Sequence, residues 1–425
     1  MSTAGSVRPE LSPRRVATVT VVILFVAWIV DYVDRLVIAT ALPSIGKEFG
    51  LDHGQQGLLL TGFFITYALF QFPGGLMADK IGPKRTMFIA MIAWSAFTGL
   101  SGLVTSFGML LIVRVLFGVT EGIFPGASMK AVAERTAPKA RMTANGIMLG
   151  SNPFGAALAP LIAAPVIAAV GWRNSFYSVA VAGVVVAVVL WYWLPRPLPE
   201  GISRDRDSAA APAALPLTAL LRRGVLWRFA LLFGGYDLVG WGLTSWVPAY
   251  LQTARHVSTG ASGVLASIPF LCGTAGTVCG GLLYDRWFHG RHRLLIVPCF
   301  VVSGVFLLLM TLAGSTGMFI FYQSVTLLIL YATFMPIFGL PLRLLPSAVV
   351  GSAAGLINMG GQIAGAIAPF VMGFLADRVS FTAAFLFLEL GLLVGVIATL
   401  WAPQRPDELA KHFPELRIET PASRG

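Results

Sequence analysis

Apolar residues fall in blocks long enough to cross the roughly 30 Å hydrocarbon core of a bilayer, one after another along a chain of 425 residues. The blocks lie at 16–42, 55–78, 86–106, 108–132, 142–170, 174–194, 226–252, 260–284, 294–313, 317–340, 347–376 and 380–402. They are sustained runs, so they predict helices and not the ten-residue alternating strands of a membrane barrel. The fold class expected is an all-α integral membrane protein with twelve transmembrane helices.

The longest polar interruption, "PRPLPEGISRDRDSAAAPAALPLTALLRR", separates the sixth block from the seventh and reads as a flexible linker. The organisation expected is a six-helix half over 1–194, a cytoplasmic linker over 195–225, and a second six-helix half with a cytoplasmic tail over 226–425. The halves repeat. "GGLMADKIGPKR" after block two has a counterpart in "GGLLYDRWFHGRHR" after block eight, and Gly146, Pro160 and Phe176 match Gly355, Pro369 and Phe385 at one constant offset. Parallel six-helix repeats place a binding site at their interface near the midplane, with one half rocking against the other. Gly118, Gly122, Gly126, Gly361 and Gly365 are small enough to let helices approach for that motion.

Composition agrees: hydrophobic residues make up 56% of the chain and charged ones 12%, half the usual share for a soluble globule. The net charge is +11, and the basic residues gather in alternate loops. With the N-terminus inside, Arg8, Arg14, Arg15, Lys80, Lys84, Arg85, Lys130, Arg135, Lys139, Arg141, the linker arginines, Arg286, Arg291, Arg293 and Arg343 are cytoplasmic, leaving only Lys47, Arg173, Arg255 and Arg378 outside. Both termini are therefore expected in the cytoplasm, and the charge needs no nucleic-acid partner. The first block is too long for a cleaved leader and reads as a retained span. Cys272, Cys279 and Cys299 lie in apolar segments without ligand spacing, as packing residues. His53, His256, His289, His292 and His412 fall in loops or the tail, with solvation expected for His289 and His292. There is no phosphate-binding loop of the G-x-x-x-x-G-K-[ST] kind, and no nucleophile–base or metal constellation, so an enzyme or an ATP-driven pump is not indicated.

Candidate chemistry lies where charges enter the spans. "IVDYVDRLVIATALP" sets Asp31, Asp34 and Arg35 at i, i+3 and i+4 on neighbouring parts of one helix face. An ionisable group there costs roughly 2.5–3.5 kcal/mol even on the lenient insertion scale, so a function is expected to retain it. Arg35 offers a carboxylate a bidentate contact. Asp34 would pair with it, and a substrate carboxylate would compete unless Asp34 takes a proton; the alternative is a static ion pair. Arg114 and Glu121 stand two turns apart on one face of span four, where burial and a neighbouring Arg make Glu121 a protonatable group, or else a packing pair. In span seven Tyr236, Asp237 and Trp241 break the apolar pattern. Asn358 and Gln362, one turn apart in span eleven, face a cavity or bond a neighbouring helix. Pro153, Pro160, Pro336 and Pro341 are expected to kink their helices.

Gly75, Asp79, Lys80, Gly82, Lys84 and Arg85 resemble the loop-two motif of the major facilitator superfamily, and "RVLFGVTEG" resembles its span-four motif. Finer resemblance is to the anion:cation symporter family, through Asp31-Tyr32-Val33-Asp34-Arg35, Arg114, Glu121, Phe124-Pro125, "LTSWVPAYL" and "GWRNSFY". The resemblance implies that Arg35, Tyr32 and Tyr67 hold substrate, with Asn152 and Asn358 as polar partners. It implies that Asp34 and Glu121 take the coupling proton, beside Arg114 and Asp31. Gly75, Asp79, Lys80, Gly82 and Arg85 would gate the cytoplasmic side, with Asp285 and Arg286 at the repeated position. Asp31 and Asp237 depart from the family pattern. The function implied is proton-coupled import of a small organic anion, a sugar acid such as an aldonate or hexuronate first, an aromatic or short-chain carboxylate second. An exporter exchanging against protons is the rival, but its usual span-five "GP-x-x-GG" is here "GAALAP"; a substrate-sensing transceptor is the other. The remaining expectations are protons in place of a cofactor, a monomer, and a bacterial inner membrane, the last permitted by the absence of N-x-[ST] sequons.

Overall fold

The computed structural model describes residues 12–199, 222–288, 290–344, 347–404 and 408–409. Among these, every regular element is a helix. In chain order they are α1 Pro13–Phe49, α2 His53–Ile81, α3 Pro83–Ser101, α4 Phe107–Gly122, α5 Phe124–Arg135, α6 Pro138–Leu149, α7 Ser151–Val170 and α8 Trp172–Trp193. The second series is α9 Gly224–Thr253, α10 Thr259–Leu283, α11 His292–Thr311, α12 Thr316–Ala332, α13 Phe334–Leu344, α14 Ser347–Arg378, α15 Phe381–Leu386 and α16 Glu389–Trp401. A π-helical turn, Tyr284–Phe288, extends α10.

Several of these helices are halves of one span, and proline explains where they divide. The α4–α5 break at Ile123 precedes Phe124-Pro125, the α6–α7 break at Gly150 precedes Pro153, and the α12–α13 break at Thr333 precedes Pro336. Proline is tolerated in a helix's first turn, where its missing N–H has no intrahelical acceptor to serve, so the chain restarts there. Among the described residues, ten helices are long and apolar enough to cross a membrane. The expected twelve is not reached on that measure. Pro83–Ser101 opens on Pro-Lys-Arg and Gly224–Thr253 carries Asp237 amid glycines, so both are helical where expected but less apolar. Large apolar side chains such as Leu69, Phe72, Val181, Leu282 and Leu312 stand more than half exposed around the bundle, a surface that suits lipid and not water. This is a multi-pass membrane protein.

Helices α1–α8 meet α9–α16 along α2–α14, α7–α10 and α1–α9. The meeting is tight at one end. Asp377 on α14 accepts from the backbone N–H groups of His53 and Gly54 at 3.2 and 2.8 Å, and its Oδ1 lies 2.5 Å from His53 Nδ1. Thr61 donates to the Ala366 carbonyl at 2.6 Å and Gln252 to that of Thr40 at 3.3 Å. At the end carrying the N-terminus, Gly75 on α2, Gly146 on α6 and Gly355 on α14 have open space beside them among the described residues. Of the expected linker, 200–221 lies outside the described residues, as do His289, His412, most of the tail and the side chains of Pro341 and Arg343.

Some expectations change. Gly118 and Gly122 face the α2 carbonyls of Phe63 and Tyr67, so they pack α4 inside the first series; Gly365 packs across the seam against the Phe64 ring, as do Gly57 against Pro369, Gly263 against Pro160 and Gly373 against His53. His292 is buried at the start of α11, not solvated, because Pro-Cys-Phe and the turns after it carry the chain straight into the bundle. Cys279 is exposed on the apolar surface and not packed.

Candidate functional site

Asp31 and Arg35 stand one turn apart on α1, and their side chains meet, Arg35 Nη2 to Asp31 Oδ2 at 2.9 Å. Arg35 Nε donates to Glu121 Oε2 on α4 at 3.1 Å. The guanidinium is packed among rings: its carbon lies 4.5 Å from the Tyr67 centroid, 4.9 Å from Tyr32, 5.4 Å from Phe63 and 5.8 Å from Trp241. Two carboxylates and an aromatic collar thus fix the fork's orientation and desolvate it.

Asp34 does not join this pair. Adjacent helical residues point about 100° apart, so Asp34 turns to α3, where the Thr98 hydroxyl donates to its Oδ1 at 2.6 Å. The expected Asp34–Arg35 competition is therefore an Asp31–Arg35 one in this state. Arg114 also departs from expectation. It does not pair with Glu121, which Arg35 has taken, and its guanidinium sits over Phe117 at 4.1 Å. All five charged side chains are buried, and polar atoms are left over on most: Asp31 Oδ1, Asp34 Oδ2, Glu121 Oε1, and Arg114 Nε and Nη2 have no hydrogen-bond partner. A buried network with such remainders has sites for protons and for a further anion. Arg35 and Arg114 share a small cavity with Leu36, Leu60, Phe64 and Ser245.

The remaining predicted residues gather around this centre in part. Tyr32 stacks on Trp241 of α9 with centroids 6.1 Å apart, and its Cβ side lies against Gly155 of α7. Asn152, one turn from Gly155, and Gln362 of α14 each keep an amide oxygen without a partner, as does the Trp241 indole N–H. Asn358 is not free: it donates to Gln71 of α2 at 2.9 Å, bridging the two series. Tyr236 packs with Phe233, Tyr331 and Phe334, one turn away from Arg35's collar. Thr98, Phe63 and Gln71 escaped sequence reasoning; none breaks an apolar pattern or sits in a charged motif.

The loop-two residues lie at the end of α2 and the start of α3, away from Arg35. Asp79 pairs with Lys130 of α5 at 2.7 Å, Gly82 turns the chain at φ 83°, and Lys80 and Arg85 are exposed. At the repeated position Asp285 and Arg286 fall in the π-helical turn, where Arg286 lies over Trp287. The "GWRNSFY" stretch acts at the closed end, with Trp172 and Arg173 both donating to Glu48, at 2.8 and 2.6 Å.

A helical bundle in the membrane, holding buried charges at the seam between two helix series, has the build of a solute carrier. The chain belongs to the Major Facilitator Superfamily, whose sequence profile matches residues 23–369. It is 29% identical over 379 residues to the hexuronate transporter of Bacillus subtilis (strain 168), covering 86% of this chain and 90% of that one. It is 26% identical over 426 residues to the probable L-galactonate transporter of Escherichia coli (strain K12), covering 95% and 92%. In fold it is similar to a bacterial homologue of the human lysosomal transporter Spinster in an inward-facing, unoccupied conformation, with a TM-score of 0.72 and 19% identity over 97% of this chain and 100% of that one. It is a transporter and not an enzyme, and its relatives carry sugar acids.

Proposed function

We propose that the protein is a proton-coupled symporter that carries a sugar acid, an aldonate or hexuronate, across a bacterial inner membrane by alternating access. The observation carrying this reading is Arg35, held by Asp31 and Glu121 inside an aromatic collar at the seam of the two helix series. With Asp31, Asp34 and Glu121 ionised against Arg35 and Arg114, the cluster has one negative charge in excess. An organic anion entering it meets net repulsion until a proton neutralises a carboxylate. Protonating Asp31 or Glu121 also releases a guanidinium edge for the substrate carboxylate, so proton and anion load together. Relatives named for hexuronate and galactonate support the substrate class. The N-terminus, which the distribution of basic loops favours for the cytoplasm, lies away from the end tied by Asp377 to His53 and Gly54, so this state is read as inward-facing. The two six-helix halves would rock about α2–α14 and α7–α10 to open the other end.

The test is binding of galacturonate and galactonate to the purified protein by calorimetry. Arg35→Ala is expected to abolish binding of whichever acid the parent takes, and Arg35→Lys to restore little, because an ammonium lacks the fork. Binding by Arg35→Ala within about threefold of the parent, under 1 kcal/mol, would place the carboxylate elsewhere.

A further inference from the structure

One carboxylate a turn away from the Trp241 side of the aromatic collar takes no part in the Arg35 cluster. Asp237 lies in α9, partly exposed, and among the described residues it has no hydrogen-bond or ion-pair partner. Its side chain rests against Gly361 of α14, beside Phe233; a methyl group at position 361 would collide with both. The position is not arbitrary. Asp237 is eleven residues before Pro248 in α9, and Tyr32 is eleven residues before Pro43 in α1, so the two are counterparts in the repeated halves. Trp241, one turn further along the same face of α9, stacks on Tyr32 and lies 5.8 Å from the Arg35 guanidinium carbon. One turn is about 6 Å, which puts Asp237 nearer the start of α9 than Trp241, on the order of 10 Å from Arg35. That span is comparable with the length of an extended six-carbon acid.

We infer that Asp237 is a specificity-determining residue, accepting hydrogen bonds from the hydroxylated tail of a monocarboxylate and rejecting dicarboxylates of the same chain length. The inference rests on the reading above, that Arg35 takes the substrate's carboxylate. With that end fixed, the far end of a six-carbon substrate arrives near Asp237. A terminal hydroxyl donates to a carboxylate, and the contact is a charge-assisted hydrogen bond. A second carboxylate at that end brings two like charges together in a poorly solvated, ring-lined corner, with no cation among the described residues to relieve them. An aldonate or hexuronate satisfies both ends, whereas an aldarate satisfies one and is repelled at the other.

The experiment compares galactonate with galactarate, which share a carbon chain and differ in one terminal carboxylate, binding to the full-length purified protein at one fixed pH. The parent is expected to prefer galactonate at least about tenfold. Asp237→Asn, nearly isosteric, is expected to bring the ratio within about threefold, mainly by tightening galactarate. Asp237→Glu keeps the charge and is expected to keep the discrimination, which separates lost charge from disturbed packing at Gly361. A parent that binds both acids equally, or an Asp237→Asn variant with the parent's ratio, overturns the inference while leaving sugar-acid transport standing. A parent that takes galacturonate but not galactonate is compared with galactarate in the same way; one that binds none of the three acids contradicts the sugar-acid reading itself, and the inference falls with it.

Discussion

At the scale of single residues, the consequential geometry is that Arg35 serves Asp31 and Glu121 at once while Asp34 is engaged by Thr98. Removing the Asp31 charge leaves Asp34 and Glu121 against Arg35 and Arg114, so the cluster becomes neutral without any added proton. The parent's affinity for an anion is then expected to fall as pH rises and its carboxylates ionise, and Asp31→Asn is expected to hold its affinity to more alkaline pH. Substrate affinity measured against pH for both proteins checks this; superimposable curves would make Asp31 a structural partner of Arg35 and nothing more. The residues of this cluster were legible in the sequence because charges inside apolar runs are conspicuous. Their pairing was not. Sequence adjacency suggested Asp34 with Arg35, and Arg114 with Glu121, but helical rotation and the approach of α4 to α1 decide the partners. Thr98 and Gln71 left no mark because a hydroxyl or amide in a span is common and becomes significant only opposite a particular group.

At the scale of helices, close approach is set by glycine and direction by proline. Gly118 on α4 lies against the Phe63 carbonyl of α2, so a side chain there must push two helices apart and displace Arg114 and Glu121, which α4 also carries. Gly118→Val is expected to destabilise the protein by roughly 1–3 kcal/mol, as overpacking does. Gly75→Ala, in open space one end of α2 away, is expected to be neutral or slightly stabilising, since Ala holds a helix better than Gly. Thermal unfolding in one detergent checks the contrast, and equal midpoints for the two variants would contradict it. The spans themselves were readable from length and hydropathy. Breaks inside them at Ile123, Gly150 and Thr333 were foreshadowed only by the prolines that follow, because a proline marks a discontinuity without saying whether the helix bends or restarts. Span seven illustrates the opposite limit: Asp237 and its glycines lower the hydropathy of a helix that lies against the cavity, so interior function makes a span less recognisable.

At the scale of the molecule, the repeat and the cavity go together. The matching of Gly146, Pro160 and Phe176 with Gly355, Pro369 and Phe385 is a pattern of the sequence alone, whereas the contacts that tie one end join residues far apart in sequence, such as His53 with Asp377. No local pattern records them. They tie the two series together at the end away from the N-terminus. Coupling of a proton to the substrate is tested most directly by internal pH during substrate entry. Protein is reconstituted into vesicles containing a pH-sensitive dye, with equal pH on both sides, and galactonate or galacturonate is added outside. The account predicts that the interior acidifies as substrate enters, that the acidification is absent from protein-free vesicles, and that Arg35→Ala abolishes both entry and acidification. Substrate entry with no change in internal pH would contradict it.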